Sequence, residues 1–120
     1  MTFAAALCEH LESMASMPGL QGCALVELET GLVLQSAGAV MPVAAEAARD
    51  YWRLHERHSR CFDHLGAMQA QVMVHAQQRL TLVTVGQGLL LLTFSDTAAR
   101  VDWAFWQTQL SQLRGLVQTP

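Results

Sequence analysis

At 120 residues, with 52% hydrophobic and only 14% charged side chains, the chain is long enough to bury one core and too apolar for disorder. All seven basic residues are arginine, the formal net charge is -3, and the arginine stretch Arg49, Arg53, Arg57 and Arg60 is interleaved with Glu46, Asp50 and Glu56, so it reads as a solvated helix face and no nucleic-acid partner is expected. Three cysteines without CxxC spacing, no cleavable leader and no apolar run long enough to span a bilayer predict a soluble, cytoplasmic protein with free thiols and no membrane contact.

The first element is an amphipathic helix over Thr2 to Met17, where Phe3, Leu7, Leu11 and Met14 share one side and Glu9 and Glu12 the other. Thr2 can cap it, and Pro18-Gly19 must end it. From Gly22 to Glu29 the period changes to two, with Ala24, Val26 and Leu28 on one face and Cys23, Leu25 and Glu27 on the other. Leu32 to Ser36 is a second strand, joined to the first through the turn Glu29-Thr30-Gly31.

Val43 to Leu65 is the longest helical signal. Glu46, Arg49, Arg53, Glu56 and Arg60 form its polar stripe, and Ala44, Ala48, Tyr51, Trp52, His55 and Phe62 the opposite one. The alanines at its start leave room for another backbone, with Tyr51 and Trp52 as large anchors nearby. Three strands follow, Ala70 to Ala76, Arg79 to Val85 and Gly88 to Ser95, joined by the turns Gln77-Gln78 and Gly86-Gln87 into an antiparallel meander. Leu89 to Leu92 is apolar on both faces and belongs in the middle of a covered sheet; Ala70 to Ala76 alternates and suits an edge. A last helix begins after Ser95, Asp96 and Thr97 and runs to about Val117, with a seam of Ala99, Trp103, Trp106, Leu110, Leu113 and Val117, widened by Val101 and Phe105.

The order is α-β-β-α-β-β-β-α in a single domain over residues 1–120, an α/β (α+β) fold. Together with the run Met17-Pro18-Gly19-Leu20-Gln21-Gly22-Cys23-Ala24-Leu25-Val26, the turn Thr30-Gly31-Leu32-Val33-Leu34, and the later Arg79-Leu80-Thr81-Leu82 and Gly88 to Leu92, it resembles the Roadblock/LC7 family over nearly the whole chain. That resemblance implies a profilin-like, five-stranded antiparallel sheet with the first and last helices on one face and the middle helix on the other. It further implies a homodimer in which the third strands pair edge to edge and the middle helices pack together. Stand-alone bacterial relatives activate, localise or scaffold small Ras-like GTPases, and eukaryotic ones serve dynein and endosomal signalling assemblies. By this resemblance the chain is a non-enzymatic GTPase regulator whose dimer interface holds Ala44, Ala48, Tyr51, Trp52, His55, Phe62, Gln71, Met73 and His75.

The residues offer little competing chemistry. His55, His58, Cys61 and His64 form a zinc-competent set, but steps of three fall about 60° short of a full helical turn each, so they cannot all grip one ion. The serines lack a nucleophile elbow, no acidic pair has a convincing catalytic spacing, and no Walker-type phosphate loop is present. No metal, cofactor or catalytic residue is therefore expected. If the chain aids hydrolysis, it orders the partner's own groups or offers Arg49, Arg53 or Arg57 to the developing charge. An alternative from another class is a small-molecule sensory domain of profilin-like or PAS-like architecture, with Cys23, Leu25, Met73, Trp103 and Trp106 lining a cavity.

Overall fold

In the computed structural model, which describes residues 2–86 and 88–118, the first helix, α1, spans Phe3–Ala15. The Thr2 hydroxyl caps it, accepting the Ala5 backbone N–H at 3.1 Å. Leu7, Leu11 and Met14 are buried as their spacing predicts, whereas Phe3, the first helical residue, is exposed. Strand β1 covers Leu20–Glu27, two residues earlier at each end than its alternation suggested, because the chain pairs as soon as it clears Gly19. Strand β2 is Val33–Gly38. Between them Gly31 adopts φ 78°, a left-handed conformation that glycine takes without a Cβ penalty, and its N–H donates to Glu27 at 2.8 Å.

The middle helix departs from expectation. It runs as α2 over Pro42–Arg57, with proline in the first turn where no N–H partner is needed, and then gives way at His58 to a 3-10 helix over Ser59–Leu65. The reason is packing: beyond Trp52 no side chain up to Leu65 is buried, so no apolar face holds the longer helix in register. His55 stacks on Phe62 across the break, ring centroids 5.4 Å apart.

Strands β3 (Gln71–Val74), β4 (Gln78–Gly86) and β5 (Leu89–Asp96) complete one antiparallel sheet of order β2-β1-β5-β4-β3. Gln87 of the expected turn lies outside the described residues. Central β5 is apolar on both faces because both are covered: Leu91 sits between Leu25 and Val83 on one side, and Leu92 between Ala24 and Leu82 on the other. The last helix, α3, spans Trp103–Gln118, later than expected. Asp96 closes a turn by accepting the Ala98 N–H, residues up to Val101 pack over Gly19, and Asp102 caps the helix by accepting the Phe105 N–H at 3.0 Å. Ala99 is thus outside the helical seam, and Phe105 points outward.

Two cores result. α1 and α3 cover one face through Leu7, Leu11, Met14, Trp106, Leu110, Leu113 and Val117; α2 covers the other through Ala45, Ala48 and Trp52. This is the layer arrangement expected from the resemblance. No helix among the described residues is long and apolar enough to cross a membrane.

Candidate interface on the middle helix and third strand

Helix α2 meets its own sheet through small residues. Ala45 and Ala48 let the backbone come close to the core that holds Ala24, Val26, Leu90 and Leu92, and Trp52 packs into the same core. Two sequence expectations are corrected by this: Ala48 and Trp52, expected at an interface between copies, are 2% and 5% exposed and belong to the protomer's own core. Met73 also turns inward, partly buried against the same core, because cross-strand partners share a face and Met73 opposes Leu80.

The two flanks of α2 differ. At about 100° per residue, Arg49, Arg53 and Glu56 lie to one side of the buried stripe, and Ala44, Ala47, Tyr51 and Leu54 to the other. The charged flank is anchored to the β1–β2 hairpin. The Arg49 guanidinium occupies the space beside Gly31, where a Cβ would approach Nη2 to 2.6 Å, and contacts Asp50 at 3.3 Å; Arg53 Nη1 donates to the Leu28 carbonyl at 3.1 Å. Arg49 thus packs beside Gly31, whereas the Arg53 side chain keeps further N–H donors and is 45% exposed, and Arg57 is exposed.

The apolar flank overhangs the opposite end of the sheet. The Gln71 side-chain amide donates to the Tyr51 carbonyl at 3.4 Å, and Ala44 lines an open cavity of about 490 Å³ with His75, Gln78, Leu80 and Phe94. Tyr51 is 54% exposed and Leu54 45%, and on the 3-10 segment that follows Phe62, stacked on His55, and Leu65 are exposed as well. Beside them β3 pairs, among the described residues, only with β4, so its outer row of backbone donors and acceptors is an open edge. Among the described residues, Gln71 Oε1 here and Arg49 Nε on the charged flank are buried without a hydrogen-bond partner, a state that ordinarily costs about 1–3 kcal/mol each. Of the nine residues expected at the interface, Ala44, Tyr51, His55, Phe62, Gln71 and His75 thus remain at or near this surface. Leu54 is a further exposed apolar residue on this flank, and its i, i+3 step from Tyr51 is the signal for it in the sequence.

Other candidate chemistry does not assemble. Among the described residues no group of three or more His, Cys, Asp or Glu is placed to hold a metal ion. The sensory cavity is corrected as well. Cys23, Leu25 and Trp106 are packed in the core under α1 and α3, and Met73 is on the other face. The Cys23 thiol donates to the Leu11 carbonyl at 3.3 Å, and burial raises its pKa to about 12; the Trp106 indole N–H donates to Thr93 Oγ1 at 3.1 Å.

This arrangement of sheet and helices is the Roadblock/LC7 fold. No family model matches the sequence, and no curated protein does. Among solved structures the chain is similar to a Roadblock/LC7 domain from Streptomyces avermitilis, at 20% identity with a TM-score of 0.75 over 94% of this chain and 92% of that one. It is also similar to MglB with a tetrameric arrangement, at 16% identity with a TM-score of 0.80 over 97% and 90% of the two chains. A third is the gliding protein MglB of Thermus thermophilus, at 16% identity with a TM-score of 0.79 over 97% and 91%. At these identities the likeness is one of fold.

Proposed function

We propose that residues 1–120 form a single Roadblock/LC7-like module that acts in the cytoplasm as a homodimeric, non-enzymatic regulator or scaffold of a small Ras-like GTPase. The observation that carries this reading is the pairing of an exposed apolar helix flank with an open sheet edge on the same side of the molecule. Neither feature is expected of a surface that faces only water. A two-fold axis beside β3 would join two sheets into one of ten strands and bring the Tyr51 and Leu54 flanks of two α2 helices together. MglB, which shares the fold, has been solved in a tetrameric arrangement, so copies of this fold do associate.

The GTPase reading rests on the Roadblock/LC7 resemblance, which the shared fold supports. Stimulation would come from ordering the partner's switch segments, or from an exposed arginine such as Arg53 or Arg57 offered to the developing charge. Sedimentation of the purified chain, followed by titration against a panel of the host's small Ras-like GTPases in GTP- and GDP-loaded forms, tests both halves. A dimer that prefers one GTP-loaded GTPase supports the proposal, and the change in hydrolysis rate then separates activator from scaffold. A monomer that binds none of the panel refutes it.

A further inference from the structure

Strand β3 has a second uncovered surface, on the face opposite α2. Val72 opposes Thr81 and Val74 opposes Arg79, and these residues share the α3 side of the sheet with Val83 and Val85. Helix α3 covers β4 but stops short of β3, leaving Val72 and Val74 51% and 65% exposed. A trough of about 280 Å³ lies between α3 and Gln69-Ala70, walled in part by Gln107 and Arg114. Those two residues continue the helical stripe that starts at Trp103.

A cation stands at each end of this strip. The Arg79 guanidinium lies 5.9 Å from the Trp103 ring centroid, and Arg114 donates through Nε and Nη2 to the Thr84 carbonyl at 3.1 and 2.8 Å. Neither forms an ion pair among the described residues, and Arg114 has three further N–H donors. Five residue steps along β4 separate Arg79 from Thr84, about 17 Å at 3.3 Å per residue. An α-helix covers that distance in about 11 or 12 residues.

We propose that this strip docks an amphipathic helix of a partner protein, with an apolar face on Val72 and Val74 and carboxylates at both ends that pair with Arg79 and Arg114. A helix fits better than a strand, because what is uncovered here is the face of a sheet, the surface that α3 already covers one strand away. The strip exists in each protomer. Only its doubling across a two-fold axis rests on the β3-paired dimer proposed above.

The probes are two labelled 12-residue helical peptides with leucines at steps of three and four, one with glutamate at each end and one with lysine. In fluorescence anisotropy with the full chain, the glutamate peptide binds at least about tenfold tighter. The Arg79→Glu, Arg114→Glu variant reverses that preference, and Val74→Asp abolishes binding with an unchanged melting temperature. Equal binding of the two peptides, no binding of either, or an indifferent Val74→Asp variant that still melts normally overturns the proposal. Sedimentation of the same samples separates the two ideas: a monomer that keeps the peptide preference supports the strip and refutes β3 pairing, and a dimer without it refutes the strip alone.

Discussion

Trp52 and Leu54 are two residues apart on α2, yet their replacement has opposite consequences if the two flanks are assigned correctly. Trp52 is 5% exposed and closes the core between α2 and the sheet, so Trp52→Ala removes most of an aromatic side chain from a packed interior. The usual cost is about 3–5 kcal/mol, a large part of the roughly 5–15 kcal/mol that holds a domain of this kind together. For a chain of this size, at about 4 °C per kcal/mol, the melting temperature falls by roughly 12–20 °C. Leu54 is 45% exposed and Tyr51 54%, so neither holds the protomer together to the same degree.

Burying the remaining part of each against a second copy, at about 1.5–3 kcal/mol for a whole large apolar side chain, is worth roughly 0.7–1.5 kcal/mol. A two-fold interface counts each twice, so the Tyr51→Glu, Leu54→Glu variant loses about 3–6 kcal/mol of association, and the dimer dissociation constant rises by roughly 10²- to 10⁴-fold. Sedimentation velocity over a concentration series, with thermal melts on the same samples, reads both effects. The expected pattern is a folded monomer for the double glutamate variant and a heat-labile protein for Trp52→Ala. A double glutamate variant that dimerises like the parent, or a Trp52→Ala variant that melts normally, refutes the assignment of the flanks.

Two further predictions concern the hairpin beneath the charged flank of α2 and the core on the opposite face of the sheet. Gly31→Ala places a Cβ where the Arg49 guanidinium lies, at φ 78°, and is expected to destabilise by about 1–2 kcal/mol in urea unfolding, with Arg49→Ala costing less on that background than on the parent because the tie is already displaced. Cys23 stays a neutral thiol in the folded state up to about pH 12, while an unfolded thiol ionises near 9, so above pH 9 the unfolded state binds fewer protons and stability falls as pH rises, by at most about 1.4 kcal/mol per unit. Unfolding midpoints of the parent and Cys23→Ala at pH 8 and 10.5 should show the parent losing more; parallel losses refute the assignment.

What the sequence reveals here is what periodicity encodes. Leu89 to Leu92 reads as a central strand because consecutive apolar residues need cover on both faces, and β5 has it from α1 and α3 on one side and α2 on the other. The errors arise where one pattern serves two environments. A stripe of Ala44, Ala48, Trp52 and His55 marks a packed helix face without saying whether the facing backbone belongs to the same chain, so Ala48 and Trp52 are read as interface when they are core. Helix ends fail for a related reason: propensity carries α2 on to Leu65, but with nothing buried past Trp52 the regular helix ends at Arg57.

The same ambiguity explains why the sequence points to the middle helix and third strand yet misassigns Ala48, Trp52 and Met73 within them. The partitioning of α2 into a charged flank and an apolar one is legible as spacing, but which flank overlooks the open edge depends on tertiary contacts far apart in sequence. Arg49 at Gly31 and Arg53 at Leu28 fix the charged side over the β1–β2 hairpin. Gln71 at Tyr51 fixes the apolar side over β3, and the unpartnered Gln71 Oε1 lies at that junction. A helix rolled the other way would put arginines beside the β3 edge and leave the greasy flank over the hairpin. The sequence periodicity would be the same, and the open edge would lose the apolar cover that makes pairing with a second copy favourable.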